Sequence, residues 1–252
     1  MNPPALLLVA FGSMAPAARS VYRAFEDGVR AAHPGREVRW AFTASSLVAR
    51  LRGEGARTLE EAYGGLGADG YTSVAVGSLH LVPGEKHREI VACPAPGLRR
   101  EVGAPLLGPG GSIPGVAREL LGDLPEDRPV LVVAHGNAGE PVYNAELLAL
   151  KEELAAHRPD LHLTLLEGDP DGPALDRFLE KARRHGKAHV VPFLLVAGGH
   201  VQKAILGEES CSLRSRLGVP GFTCGPALGH RPWARRLFLD RLGAALACLE
   251  VP

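Results

Sequence analysis

Aromatic residues, net charge and cysteine are all scarce in this chain, and each shortage excludes a class of function. Phe, Trp and Tyr make up 5% of the 252 residues, too few to predict the stacking platforms that bind single-stranded nucleic acids. Lys and Arg number 28, as do Asp and Glu. A protein that binds nucleic acid over its whole surface normally carries a basic excess, so nucleic acid is not an expected partner, although local charged patches remain open.

Cysteine is also rare. The four residues, Cys93, Cys211, Cys224 and Cys248, form no C-x-x-C pair, which argues against a thiolate zinc site or a disulfide framework. No apolar stretch has the length of a membrane span. The run from Ala5 to Phe11 lacks a basic flank and is too short for a signal peptide, so we expect a cytoplasmic protein without a membrane partner.

The chain contains short apolar runs that alternate with helix-length segments. The predicted strands are Leu6–Phe11, Val38–Thr43, Val74–Leu79, Val130–Ala134, His162–Leu166 and Ala188–Val196. The predicted helices are Ala15–His33, Leu59–Gly67, Tyr143–His157 and Ala174–His185, with a further one at Val116–Leu121. Strands without polar alternation, separated by helices, are typical of an α/β fold with parallel sheets covered on both faces. Functional residues in such folds lie at the carboxyl ends of the strands.

An internal repeat divides the chain into two similar lobes. LLLVAFGS at 6–13 corresponds to LVVAHGN at 131–137, and EVRWAFT at 37–43 corresponds to HLTLLEG at 162–168. We predict an N-terminal α/β lobe over residues 1–125 and a C-terminal α/β lobe over 126–252. The linker is either the Gly and Pro cluster at 108–114 or the polar turn at 123–129, and the second is preferred. The apolar stripe of a final helix, Pro232–Leu249, could pack on either lobe or on a partner.

Three polar residues stand at predicted strand ends of the second lobe: His135, Glu167 and His200. Singly, each is compatible with a structural role, such as a hydrogen-bonding histidine or a salt-bridged carboxylate. Together, two imidazoles and a carboxylate form an open nitrogen and oxygen site for cobalt, nickel, iron or zinc. The same histidines could instead accept protons at neutral pH. Metal binding and proton uptake are the two steps needed to insert a divalent ion into a tetrapyrrole.

Several motifs resemble those of the anaerobic sirohydrochlorin cobaltochelatase family, in the class II chelatase superfamily. They are LLLVAFGS, AFT at 41–43, SLHLVPGE at 78–85, VVAHGN, LLEGDP at 165–170 and PFLLVAGGH at 192–200. The resemblance extends from residue 5 to about 243. It implies two α/β lobes with a tetrapyrrole cleft between them, and a lyase that inserts Co(II) into sirohydrochlorin without ATP in cobalamin biosynthesis. It also implies His135, Glu167 and His200 as metal ligands, with His135 as the favoured proton acceptor.

The repeat extends this assignment to the first lobe. Aligning Gly12 with Gly136 places Phe11 opposite His135, and aligning Gly84 with Gly199 places Glu85 opposite His200. We predict that Phe11, Gly12 and His80 line the tetrapyrrole cleft, with the free amides of the helix after Gly12 suited to carboxylates. Glu85 is predicted to assist metal or proton transfer. A packed strand-end histidine and a surface carboxylate are the structural alternatives for His80 and Glu85.

The chain departs from the family pattern near the predicted cleft. Lys86 and His87 stand where the family has an acidic residue and Tyr, Asp169 replaces a common aromatic, and Lys203 follows the second metal histidine. Fe(II) and Ni(II) are therefore the alternative metals, for siroheme or a related tetrapyrrole. The other hypotheses are a non-catalytic tetrapyrrole or metal carrier and a two-lobed small-molecule sensor. No nucleotide motif is present, and a homo-oligomer remains open because dimers are the commonest assemblies.

Overall fold

The chain forms two compact α/β units. The computed structural model describes residues 2–109 and 112–250, except the side chain of His200. Unit 1 comprises the chain up to Gly111 together with the segment from Pro232 onwards, and unit 2 is the continuous segment Ser112–Arg231. The prediction of two similar α/β units is confirmed. Among the described residues, no helix is long and apolar enough to span a membrane.

Unit 1 is built on a parallel sheet with the strand order β2-β1-β3-β4. Its strands are β1 (Ala5–Ala10), β2 (Val38–Phe42), β3 (Ser73–Ser78) and β4 (Arg99–Val102). Its helices are α1 (Pro16–Ala32), α2 (Ser45–Leu51), α3 (Leu59–Ala68), α4 (Glu85–Ala92) and α10 (Pro232–Glu250). All six residues of β1 are buried, as expected for a central strand of a parallel sheet covered on both faces.

Local sequence explains where the helices of unit 1 begin and which faces they bury. Pro16 stands in the first turn of α1, where its missing N–H costs no hydrogen bond. Val21, Phe25 and Val29 follow at a spacing of four and are all buried. The Thr58 hydroxyl accepts a hydrogen bond from the Glu61 N–H at the start of α3, and the Glu61 carboxylate accepts from the Thr58 N–H. This capping box satisfies two amides that the helix leaves free.

Unit 2 repeats the architecture with the strand order β6-β5-β7-β8, again parallel throughout. Its strands are β5 (Val130–Gly136), β6 (Leu161–Glu167), β7 (Lys187–Pro192) and β8 (Gly221–Cys224). Its helices are α5 (Ile113–Leu121), α6 (Ala145–His157), α7 (Gly172–His185), α8 (Gly199–Leu206) and α9 (Leu213–Leu217). The register pairs Gly136 with Glu167. The carboxyl ends of β5 and β6 therefore lie side by side.

The C-terminal helix belongs to unit 1, which differs from the predicted lobes 1–125 and 126–252. Helix α10 packs against β3 and β4 and buries Phe238, Leu242 and Leu246. A Cβ added to Gly103 would lie 3.0 Å from the carbonyl oxygen of Arg241, so the helix backbone approaches the sheet closely there. The division before Ser112 also favours the Gly and Pro cluster as the linker over the preferred turn at 123–129. Gly110 and Gly111 of that cluster lie outside the described residues.

Candidate functional site

His135 and Glu167 project from neighbouring strand ends of unit 2. His135 is the penultimate residue of β5 and Glu167 is the last residue of β6. The Nε2 atom of His135 lies 4.0 Å from Oε1 of Glu167, and both side chains are about half exposed, at 48% and 47%. Two ligands at about 2.1 Å from a tetrahedral ion are about 3.4 Å apart. A small side-chain movement would therefore let both atoms bind one divalent ion.

The backbone selects the tautomer of His135. Its Nδ1 atom lies 3.0 Å from the carbonyl oxygen of Gly136. A carbonyl oxygen can only accept a hydrogen bond, so Nδ1 carries the proton and donates it. The lone pair is then on Nε2, which faces Glu167. A histidine whose other ring nitrogen donates to a carbonyl is oriented for metal binding or proton uptake.

The two turns that carry these residues are packed directly against each other. We call residues 135–137 the β5 turn and residues 167–169 the β6 turn. Gly136 and Gly168 have φ angles of +74° and +71°, a conformation that favours glycine. A Cβ on Gly168 would lie 2.6 Å from the carbonyl oxygen of Asn137, and a Cβ on Gly136 would overlap the carbonyl oxygen of Glu167. These glycines therefore permit the close approach of the two backbones.

Asp169 fixes the β6 turn from behind. Its Oδ2 atom accepts hydrogen bonds from the Thr164 hydroxyl at 2.6 Å and the Leu165 N–H at 2.9 Å, and Oδ1 accepts from the Asp171 N–H at 3.0 Å. Lys151 lies 3.9 Å from the same carboxylate. Burial raises the pKa of Asp169, but these hydrogen bonds and the charge of Lys151 outweigh it, and the net pKa is lowered. Asp169 is thus an ionised anchor of the turn that carries Glu167.

His200 is the second residue of α8, the helix that follows β7. Strand β7 neighbours β5 in the sheet but ends at Pro192, so His200 follows the strand end by eight residues, whereas His135 and Glu167 lie at the ends of β5 and β6. The side chain of His200 lies outside the described part of the structure, so its predicted role as a ligand stays a prediction. Among the side chains that are described, no three His, Cys, Asp or Glu residues form a metal-binding cluster.

The predicted residues of unit 1 lie at or after the carboxyl ends of its strands. Phe11 directly follows β1 and is 53% exposed. Gly12 has a φ of +103° and lies close to the Leu47 side chain. Glu85 is the first residue of α4, and its exposed carboxylate accepts a hydrogen bond from Lys86 Nζ at 3.2 Å. The predicted roles of these residues toward a tetrapyrrole stay predictions.

His80 belongs to a polar cluster at the end of β3. Its Nδ1 lies 3.2 Å from the Ser78 hydroxyl and its Nε2 lies 3.4 Å from the Thr43 hydroxyl. The Ser78 hydroxyl also lies 2.9 Å from Nδ1 of His87. Burial, followed by the charges of His87 and Lys86, lowers the pKa of His80 to about 3. The imidazole is therefore neutral at physiological pH, with both of its nitrogens occupied.

Comparison of the chain with known proteins identifies its family. The family model of the cobalt chelatase CbiK matches residues 4–247. The chain belongs to the CbiK family. It is 33% identical to the sirohydrochlorin cobaltochelatase CbiKC of Nitratidesulfovibrio vulgaris, over 99% of this chain and 93% of that protein. It is 28% identical to the sirohydrochlorin cobaltochelatase of Salmonella typhimurium, over 96% of both chains.

A solved structure shares the fold. SirB from Bacillus subtilis with Fe3+ superposes with a TM-score of 0.68 at 19% sequence identity, covering 98% of this chain and 97% of that one. The resemblance to sirohydrochlorin cobaltochelatases predicted from the motifs is confirmed by the CbiK family match.

Sequence reasoning missed one polar residue that contacts both turns. Asn144 is 2% exposed, and its side-chain nitrogen lies 3.0 Å from the Asn137 carbonyl oxygen and 3.5 Å from that of Gly168. Asn144 is the second residue of the predicted helix Tyr143–His157. An asparagine near the start of a helix indicates an N-cap, and the sequence carries no other signal at this position. Nothing in the spacing of residues predicts that the side chain turns away from its helix.

Proposed function

We propose that this chain is a lyase that inserts Co(II) into sirohydrochlorin without ATP, as an enzyme of cobalamin biosynthesis. The observation that carries the proposal is the His135 and Glu167 pair, 4.0 Å apart at adjacent strand ends of a CbiK-family chain. One imidazole and one carboxylate, joined by His200 as the predicted third ligand, suit a borderline divalent ion. Without thiolates the ion is held loosely enough to be passed on.

The reaction exchanges one metal ion for two protons. Each of two pyrrole N–H bonds breaks, the nitrogen lone pairs bind cobalt, and two protons leave the macrocycle. Co(II) begins on His135 Nε2 and the Glu167 carboxylate, which together offset part of its charge. When cobalt moves to the macrocycle, Nε2 regains a free lone pair and can accept one of the released protons. The hydrogen bond from Nδ1 to the Gly136 carbonyl stabilises the imidazolium that results.

Glu85 is proposed as a second group that assists proton or metal transfer, because its carboxylate is exposed at the start of α4. Phe11, Gly12 and His80 are proposed to contact the tetrapyrrole. For His80 the contact would be through the ring, since both nitrogens already have hydroxyl partners.

The test is an anaerobic assay with metal-free sirohydrochlorin and Co(II), followed by the change in tetrapyrrole absorption. We expect turnover by the wild-type chain and its loss in His135→Ala. The matched control is His157→Ala, which removes another exposed histidine of unit 2, at the end of α6. Full activity of His135→Ala would refute the assigned roles.

The same assay separates the competing hypotheses. Binding of Co(II) and sirohydrochlorin by the wild-type chain without turnover would favour a carrier. Competition among Co(II), Fe(II) and Ni(II) at equal concentration tests the metal, for which we expect cobalt to be preferred. Retained binding of a small molecule after substitution of His135, Glu167 and His200 together would favour a sensor.

A further inference from the structure

Asn144 joins the two turns that carry His135 and Glu167. It is the last residue of the short 3-10 turn Pro141–Asn144 and the N-cap residue of α6. Its side-chain nitrogen faces two backbone carbonyl oxygens, Asn137 O at 3.0 Å in the β5 turn and Gly168 O at 3.5 Å in the β6 turn. Because both carbonyls can only accept, the side-chain nitrogen, and not Oδ1, must be the atom that faces them.

The amide makes these contacts in place of its ordinary ones. An asparagine at an N-cap normally uses its oxygen to accept a backbone N–H of the first helical turn, yet Asn144 makes no such cap. Its Oδ1 atom is buried and has no hydrogen-bond partner among the described residues. An unpartnered buried polar atom is costly. The side chain therefore lacks both a cap hydrogen bond and a partner for Oδ1, in an orientation that directs its nitrogen to the two turns.

The contacts of Asn144 complement those of the glycines. Gly136 and Gly168 permit the close approach of the two backbones, but their side chains contribute no contact that stabilises this approach. Asp169 anchors the β6 turn to its own strand, because its hydrogen bonds stay within residues 164–171. The backbone ladder of β5 and β6 pairs the two turns at Gly136 and Glu167, and the Asn144 side chain adds hydrogen bonds to the next residue of each turn, Asn137 and Gly168.

We propose that Asn144 is a positioning residue that fixes the separation of His135 and Glu167 by hydrogen-bonding to the backbone of both turns. This inference rests on the proposed function, since it assumes that the pair binds the substrate metal. A fixed separation matters because any ordering of the two turns beyond the Gly136–Glu167 pair that had to occur at each binding event would weaken the binding of the ion.

The decisive variant is Asn144→Asp. Aspartate has nearly the same shape, and the start of α6 loses no capping contact because the Asn144 side chain makes none. It replaces the two N–H donors with an oxygen facing two carbonyl oxygens. We expect the dissociation constant for Co(II), measured from the visible absorption of the bound ion without tetrapyrrole, to rise about tenfold. The KM for Co(II) should rise in parallel, while the KM for sirohydrochlorin stays unchanged.

A purely structural role for Asn144 would give a different result. The variant would then have a lower unfolding temperature, but its folded fraction would bind Co(II) with wild-type affinity, and this outcome would overturn the proposal. If Asn144→Asp does not fold, Asn144→Ala serves as the second variant, because it removes the donors without placing a charge in the interior. The expected and contradicting values of Co(II) affinity are the same for it.

His135→Ala distinguishes this proposal from the proposed function. If wild-type and His135→Ala bind Co(II) equally, the metal pair itself is wrong. If His135→Ala loses Co(II) and folded Asn144→Asp keeps it within twofold, the pair is right and the inference about Asn144 is refuted.

Discussion

Substituting Gly168 by alanine tests whether the packing of the β5 and β6 turns controls activity. Gly168 directly follows Glu167, has a φ of +71°, and leaves only 2.6 Å between a new Cβ and the Asn137 carbonyl oxygen. Because real Cβ contacts hardly occur below 3.0 Å, the two turns must separate by about half an ångström. The affected carbonyl is also the acceptor for Asn144.

The chain offers a matched control for the backbone strain. Gly186, which ends α7 in the same unit, has a φ of +74° but has no atom within 4 Å of an added Cβ. Alanine at either position is destabilised by its left-handed backbone, by about 1–2 kcal/mol. Gly186→Ala therefore reproduces the strain of Gly168→Ala without the steric overlap.

The expected difference is in catalysis. A misplacement of 1 Å at a reacting centre can cost about 100-fold in rate, so half that displacement predicts a loss of roughly tenfold in kcat/KM for Co(II). Chelation rates would be measured by tetrapyrrole absorption, alongside urea unfolding of both variants. We expect Gly186→Ala to lose stability but retain wild-type kinetics. If Gly168→Ala is as active as Gly186→Ala, packing of the turns does not position the metal pair.

Two further predictions concern stability. The pKa of His80 is about 3 in the folded chain, against 6.5 for an ordinary histidine. Below pH 6.5 the unfolded chain therefore binds a proton that the folded chain does not. This difference should lower the free energy of unfolding by about 2 kcal/mol between pH 7 and pH 5. The His80→Gln variant should lack this pH-dependent loss. Unfolding would be followed by the fluorescence of Trp40 and Trp233, which both lie in unit 1. Equal losses in the wild-type and variant chains would contradict the prediction. The Asp169→Asn variant should destabilise unit 2 by about 1–3 kcal/mol, because hydrogen bonds to a charged carboxylate are lost. Circular dichroism during urea unfolding would detect this loss. An unchanged unfolding midpoint would contradict the anchoring role.

Most strands were predictable from sequence, including the edge strands β2 and β6, whereas the edge strands β4 and β8 were not. The predicted strands correspond to β1, β2, β3, β5, β6 and β7, and no strand end differs from its prediction by more than four residues. Strands β4 and β8 were missed because RREV and GFTC are short and only partly buried. An edge strand has a neighbour on one side only, so its sequence need not be apolar. Helix α10 fell within the bounds of the predicted second lobe but belongs to unit 1, because an apolar stripe indicates burial without identifying the surface that it contacts.

The candidate site divides in the same way. His135 and Glu167 could be paired from the repeat, since parallel strands bring their carboxyl ends to one edge. The role of Asn144 depends on where two backbone carbonyls lie after folding, and no spacing in the sequence carries that information. The sequence marks Asp169 only as a departure from the family pattern. In the structure its carboxylate accepts three hydrogen bonds.

The placement of α10 has a consequence for folding during synthesis of the polypeptide chain. Unit 2 is continuous, from Ser112 to Arg231, so all of its residues have been synthesised before translation reaches α10. Unit 1 begins first but needs α10 to cover β3 and β4. Until α10 has been synthesised, the N-terminal segment therefore leaves part of its sheet uncovered. Completion of unit 1 thus requires a segment that is synthesised only after the whole of unit 2.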